Sequence, residues 1–337
     1  MGYAKFISFI RKRNIRANKS GTGTSSVPNR PLSEVVSLHP SLQTSMSDII
    51  GATENFSSDF VVGDSRLGLI YKAELSNGLR LAVMKFSPNA FPSFMEFRSE
   101  LEILSKLRHR NIARILGYCL SGADKILIYE FHEQGILGVR LHGDMSPLPW
   151  ETRHKIITGV AKGLAYIHDL DKPIIHRDLN ANNVWLDSKL EAKISDFGVA
   201  KMIDGERSHV TTEATNGTDG YMPPEYEYGS MRATVKGDVY SFGVLMLEVA
   251  TGKRPENSVP LFNGESVRFV EWAGSMVTQK REMEMLDPNV WFCASTGESE
   301  ATNIKEYFRI AFMCADVNPR KRPVMRDVVE LLTQNFA

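Results

Sequence analysis

The apolar positions of this chain change their rhythm about a third of the way along. Between residues 60 and 131 they come as short runs broken by turn residues, the texture of strands. VVGDSRLGLIYKAEL (61–75) reads as two strands, SNG (76–78) as a turn and LRLAVMKF (79–86) as a third strand. Asn77-Gly78 is a hairpin signal, because both central positions of such a turn favour a positive φ. Phe94, Phe97, Leu101, Leu104 and Leu107 then recur at three- and four-residue spacing, which predicts a helix over 93–107 with one apolar face. HRNIARILGYC (109–119) and DKILIYEF (124–131) supply two further strands. Beyond them the period becomes helical. Ile156, Ile157, Val160, Leu164 and Ile167 place one apolar face on a helix within 150–169. The segment 236–255 is apolar almost all round, the pattern of a helix buried in a core, with 244–249 at its centre.

The first 46 residues have neither rhythm. Phe6, Ile7, Phe9 and Ile10 precede a basic run of Arg11, Lys12, Arg13, Arg16 and Lys19. The apolar part is too short to span a bilayer, and the charges follow it where a secretory signal would have them first. Gly2 does not complete a myristoylation motif, since position 6 is Phe where Ser or Thr is wanted. Three readings stay open: a segment lying on an anionic membrane surface, the end of a transmembrane helix with its stop-transfer charges, or a disordered basic tail. Residues 19–46 are rich in Ser, Thr, Gly and Pro and read as a linker. Ser47 is the expected N-cap of a short helix over 48–54.

Composition narrows the partners. Forty basic residues balance forty acidic ones in 337, which gives no reason to expect nucleic acid. Cys119, Cys293 and Cys314 have no metal-ligand spacing and are odd in number, so a reducing compartment is expected over a disulfide framework.

The chemistry is concentrated in IIHRDLNANNVWLD (174–187) and SDFGVA (195–200). Asp178 and Asp196 lie eighteen positions apart, with Asn183 five residues after Asp178. This pair resembles the catalytic and metal-binding loops of a eukaryotic protein kinase. SDIIGATENFSSDFVVG (47–63) resembles the segment before the kinase domain of plant receptor-like kinases, and GTDGYMPPEY (217–226) resembles GTxGYxAPEY with Pro223 for alanine. Over 47–332 the chain is similar to the plant receptor-like kinase and Pelle family.

That resemblance implies an α+β, bilobal kinase fold, with a β-rich N-lobe over about 60–131 and a helical C-lobe over about 132–332. It implies a catalytic base at Asp178 and magnesium ligands at Asn183 and Asp196. Glu100 is then the helix glutamate, Tyr129 the gatekeeper and Glu130 to His132 the hinge that meets adenine. Ile70, Ala82 and Trp185 would flank that ring, and Gly63, Ser65 and Gly68 would cover the phosphates. Arg177 would anchor a phosphorylated loop, Asp238 the catalytic-loop backbone, and Arg322 would pair with Glu225.

Four departures weigh on function. The strand pattern apolar-Ala-apolar-Lys, laid on Leu81, Ala82 and Val83, puts Met84 at the lysine position and turns Lys85 to the other face. A rival register slips by one residue and makes Lys85 the functional lysine. Ser65 replaces the second glycine of the phosphate loop, and Leu67 stands where a phenylalanine is usual. Asn180 replaces a lysine that offsets charge on the transferring phosphoryl group. Trp185 replaces a leucine beneath adenine and is large enough to fill that cavity.

The expectation is therefore a degenerate, pseudokinase-like member of the leucine-rich-repeat receptor-like kinase group without its ectodomain. It would act in the cytoplasm, at the inner face of the plasma membrane, as binding partner or substrate of active receptor-like kinases or other signalling proteins. The alternative is an active serine/threonine kinase using ATP and Mg2+. Ser208, Thr211, Thr212 and Thr215 are the expected phosphate acceptors, and Thr218 a structural contact to the catalytic loop.

Overall fold

The computed structural model describes residues 34–65, 67–87, 93–121, 124–204, 208–212, 217–227, 232–260, 265–291 and 298–334. Its N-lobe contains strands β1 (Val36–Ser37), β2 (Val61–Ser65), β3 (Gly68–Glu74), β4 (Arg80–Phe86), β5 (Ile115–Ser121) and β6 (Asp124–Glu130), with helices α1 (Met46–Ala52) and α2 (Ser93–Leu104) between them in the chain. The six strands form one antiparallel sheet in the order β1-β5-β6-β4-β3-β2.

Strand parity sorts this sheet into two faces. Leu81 and Val83 of β4 join Tyr71, Ala73, Ile126 and Ile128 in an outer core. Ala82, Met84 and Phe86 point inward, where α2 packs through Phe97, Leu101 and Leu104. Phe86 and Phe97 meet edge to face with ring centroids 5.5 Å apart.

The outer face is covered by a segment whose first part, through residue 46, had suggested a linker by its composition. Val36 and Ser37 pair with Tyr118 and Gly117, and Leu42 and Ile49 are buried in the outer core. Burying two such side chains contributes about 1.5–3 kcal/mol each. The N-lobe sheet therefore takes in chain from Val36 onward, before the expected start near 60. Helix α1 begins earlier than expected too: Ser45, not Ser47, is the N-cap. Ser45 Oγ accepts from Asp48 N at 3.1 Å, and Asp48 Oδ2 accepts from Ser45 N at 2.7 Å. This reciprocal box needs an acidic residue three positions on, which Ser45 has and Ser47 lacks. Helix α2 ends at Leu104, although Leu107 is buried in the same core.

The C-lobe follows the hinge with β7 (Gly135–Ile136), α3 (Leu137–His142), α4 (Trp150–His168), β8 (Ile174–Ile175), β9 (Val184–Leu186), β10 (Ala192–Ile194), β11 (Lys201–Met202), β12 (Val210–Thr211), α5 (Pro224–Glu227), β13 (Arg232–Ala233), α6 (Val235–Thr251), α7 (Phe269–Thr278), α8 (Pro288–Trp291), α9 (Glu298–Cys314) and α10 (Met325–Gln334). Helix α6 is buried at every residue from Gly237 to Thr251, as its all-round apolar pattern requires. Among the described residues no helix is long and apolar enough to cross a membrane.

Candidate functional site

The catalytic loop hangs from α6. Asp238, 1% exposed, accepts from the backbone amides of His176 and Arg177 at 2.8 Å each. Two backbone donors on one carboxylate fix the loop while Arg177 takes a φ of +73°. Asp178 then lies within a polar network. Thr218 Oγ1 donates to its Oδ1 at 2.7 Å, Asn180 Nδ2 to Thr218 Oγ1 at 3.0 Å, and Asn183 Nδ2 to the Asp178 carbonyl at 2.8 Å. Asn180 thus links Asp178 and Thr218 by hydrogen bonds, without supplying a charge. Arg177 Nη2 reaches Thr212 Oγ1 at 2.9 Å, and Nη1 the Val199 carbonyl at 3.0 Å. Thr215 lies outside the described residues.

Asp196 sits at a φ of +57°, a conformation Asp adopts more readily than most residues, with Gly198 N 3.3 Å from its Oδ1. Phe197 is fully buried against His176, ring centroids 4.8 Å apart. Ser99 of α2 donates to the Phe197 carbonyl at 3.1 Å, tying this helix to the loop. Helix α2 is therefore held in against the cleft.

What it meets there is not a lysine. Met84 is 3% exposed within the interlobe core, whereas Lys85 points to the opposite face of the sheet. The Lys85 ammonium lies 4.2 Å from the Phe56 ring centroid and 3.8 Å from Asp124 Oδ1. The rival register, with Lys85 as the functional lysine, is thereby excluded by strand parity. Glu100 instead accepts from the Tyr129 hydroxyl at 2.6 Å, and among the described residues it forms no ion pair. Burial, then the nearby Asp196 carboxylate, pushes its pKa up to about 8, so at neutral pH it is largely an uncharged acid.

The cleft beneath the hinge is filled by side chains. Trp185 of β9 is 7% exposed, and its ring lies 5.2 Å from that of Tyr129 and 5.6 Å from that of His132. Burial drives the His132 pKa down to about 4, so a neutral imidazole packs on the indole. Ile70, Ala82, Tyr129, Ile136 and Trp185 belong to one unbroken apolar core spanning both lobes. The His132 carbonyl accepts from Gly135 N at 3.1 Å, and its side chain is buried.

The phosphate loop is also turned inward. Leu67 is 2% exposed and packs at Gly198; a Cβ added there would lie 3.3 Å from Leu67 Cδ1. Ser65 Oγ donates to the Gly68 carbonyl and accepts from Leu67 N, both at 3.2 Å, so it is engaged within the loop. Gly68 is required by the sheet itself, since a Cβ would lie 2.0 Å from the Lys85 carbonyl.

An open cavity of about 490 Å³ remains beside the catalytic loop. Asp64, Asp178, Asp196 and Asp219 line it together with Asn180, Asn182 and Asn183, and no lysine, arginine or hinge residue does so among the described residues. Oxygen donors at Asn183 and Asp196 suit a hard cation such as Mg2+. No group of three or more His, Cys, Asp or Glu placed to hold a metal occurs among the described residues. Trp185, Tyr129 and His132 pack together beneath the hinge and do not suit an adenine ring there, while Asn183 and Asp196 keep the oxygen donors that would hold Mg2+.

A two-lobed body with the HRD segment hung from one buried helix and bonded to the DFG segment through His176 and the Ser195 carbonyl is a protein kinase fold. A family model described as protein tyrosine and serine/threonine kinase matches residues 57–332, and the chain belongs to the protein kinase family, among its plant receptor-like members. It is 38% identical over 300 residues to receptor-like protein kinase BRI1-like 3 of Arabidopsis thaliana, covering 88% of this chain and 25% of the relative. Phytosulfokine receptor 2 of the same plant is 41% identical over 294 residues, covering 86% of this chain and 27% of the relative. The chain thus spans about a quarter of the length of these relatives. Among solved structures it is similar to the pseudokinase domain of BIR2, an immune regulator of the RLK/Pelle family, with 30% identity, a TM-score of 0.72 and 91% of each chain covered.

Two contributors escaped the sequence reading. Ile136 carries no periodic signal, being one apolar residue after a turn. Glu248 looked like one more residue of a core helix, yet it is 2% exposed and bonded to His142 Nε2 at 2.8 Å and to the Tyr221 hydroxyl. Its place on an otherwise apolar helix face was the available signal.

Proposed function

We propose that this chain is a kinase-fold signalling module with weak or absent phosphotransfer, which binds active receptor-like kinases and accepts phosphate from them. The observation that carries the reading is one apolar core running across both lobes, in which Trp185 and Met84 are buried with Ile70, Ala82, Tyr129 and Ile136. Phosphoryl transfer depends on positioning and electrostatic stabilisation, and the two lysines that would serve it are Met84 and Asn180 here. The similarity to a pseudokinase domain supports the same reading. A phosphate on Thr212 would meet Arg177, with Lys201 close enough for the two cations to repel. The alternative, an active serine/threonine kinase, draws on the inward α2 and the retained Asp178, Asn183 and Asp196.

Mass spectrometry after incubation with Mg2+ and ATP tests this, with the purified chain alone and with an active receptor-like kinase. Phosphate on Ser208, Thr211, Thr212 or Thr215 only in the mixture is the expected result. Rapid self-phosphorylation of the pure chain, abolished by Asp178→Asn, would overturn it.

A further inference from the structure

Three contacts cross between the lobes where a nucleotide would otherwise join them. At the hinge end, Ile136 of β7 rises against β2 so closely that a Cβ on Gly63 would lie 2.7 Å from Ile136 Cδ1 and 3.6 Å from Ile70 Cδ1. In the middle, Trp185 meets Tyr129 edge to face. At the far end, Leu67 folds down to Gly198, which α2 also approaches through Glu96. Ile136 and Leu67 are 8% and 2% exposed, so both are packed from each side. These contacts use apolar surface alone and need no ligand to complete them.

We infer that Ile136, Trp185 and Leu67 form an interlobe latch, which holds the chain in the closed, helix-in shape without nucleotide. This rests on the reading of the chain as a binding module and adds how its shape is set. The face offered to a partner is fixed by packing, so nucleotide levels do not switch it. Gly63 leaves room for this contact, since a Cβ there would have to displace the Ile136 Cδ1 methyl.

Hydrogen exchange on the full chain, with and without ADP and Mg2+, reads the latch directly. In the nucleotide-free protein, amides of 61–74 and 93–104 should exchange slowly, and ADP should not slow them further. Ile136→Ser removes most of one pin and should speed exchange in 61–74 by roughly 30-fold, the scale of a lost buried aliphatic contact. Ile136→Val should leave it near the wild-type rate. Protection of 239–250 in α6 serves as the folding control, and Ile136→Ala decides the case if the Ser variant does not fold. Fast wild-type exchange in 61–74 that ADP slows, or no change in a folded Ile136→Ser variant, would overturn the latch. Phosphotransfer by a chain whose 61–74 amides stay slow without nucleotide would instead overturn the proposed function and leave the latch standing.

Discussion

Replacing Trp185 by Leu tests the closed adenine site. The indole is 7% exposed and contacts Tyr129 and His132 at centroid distances of 5.2 and 5.6 Å. Exchanging it for an isobutyl group empties on the order of 60 Å³, which costs about 1.5 kcal/mol at the usual cavity coefficient. Loss of the ring contacts adds about 0.5–1.5 kcal/mol each. The variant should therefore be about 2.5–4.5 kcal/mol less stable, with a Tm roughly 4–7 °C lower for a domain of this size. The same space should admit a purine. Adenosine is the probe, because it lacks the phosphates that the carboxylate-lined cavity would repel. At one hundred times its Kd it returns about 2.7 kcal/mol by mass action. Scanning fluorimetry should thus show adenosine raising the Tm of Trp185→Leu while leaving the wild type unmoved. Equal shifts in both proteins, or none in either, would refute the indole as the block.

Glu100→Gln should flatten the pH dependence of stability. The folded pKa of Glu100, about 8, lies above its ordinary 4.5, so its contribution is full below pH 4.5 and lost as pH rises through 8. The loss runs at up to about 1.4 kcal/mol per pH unit, and urea unfolding of the variant between about pH 5 and 8 should lack it; an unchanged slope counts against a neutral Glu100. Gly117→Val should detach the segment crossing the sheet, since a Cβ there lies 2.4 Å from Leu42 Cδ2 and 2.8 Å from the Val36 carbonyl. The expected cost is about 1–3 kcal/mol, with faster hydrogen exchange over 36–49 and none in α6; protection unchanged over 36–49 would contradict it. Arg322→Ala should cost about 3–5 kcal/mol in urea unfolding, because it strands Glu225 of a bidentate pair, and a loss under 1 kcal/mol would show the pair to be dispensable. The two bonds of that pair are 2.7 Å each, and the Arg322 side chain is fully buried.

How much of this was legible depended on whether a residue's role is set by its neighbours in the chain. Met84 could be read because strand parity is local: Ala82 and Phe86 fix its face whatever the tertiary structure does. Helices α4 and α6 carried their own periods. The covering strand and Leu42 were not legible, because one apolar anchor among serines and threonines makes no pattern, and the seat of Leu42 depends on Gly117 far along the chain. Ile136 was hidden for the same reason, since its meaning depends on Gly63 lying opposite. The Ser45 cap was readable and turned on Asp48 alone.

The retained and the altered positions of the cleft differ in what else they touch. Asp178 receives Thr218, Asp238 carries two loop amides, and Glu100 holds Tyr129; each has a protein partner in the folded chain. Removing Asp238 or Glu100 would leave buried donors without their partners, a structural cost that does not depend on phosphate transfer, whereas the Asp178–Thr218 bond is only part-buried. Met84 and Trp185 stand where a kinase contacts the nucleotide, and here both are part of the apolar core. A lysine at Met84 would find carboxylates at Glu100 and Asp196, whereas the thioether packs as an apolar group and, among the described residues, leaves Glu100 buried without a cation, its pKa raised to about 8. Asp238 and Glu100 are thus accounted for by shape, and the substituted residues by a cleft closed with side chains.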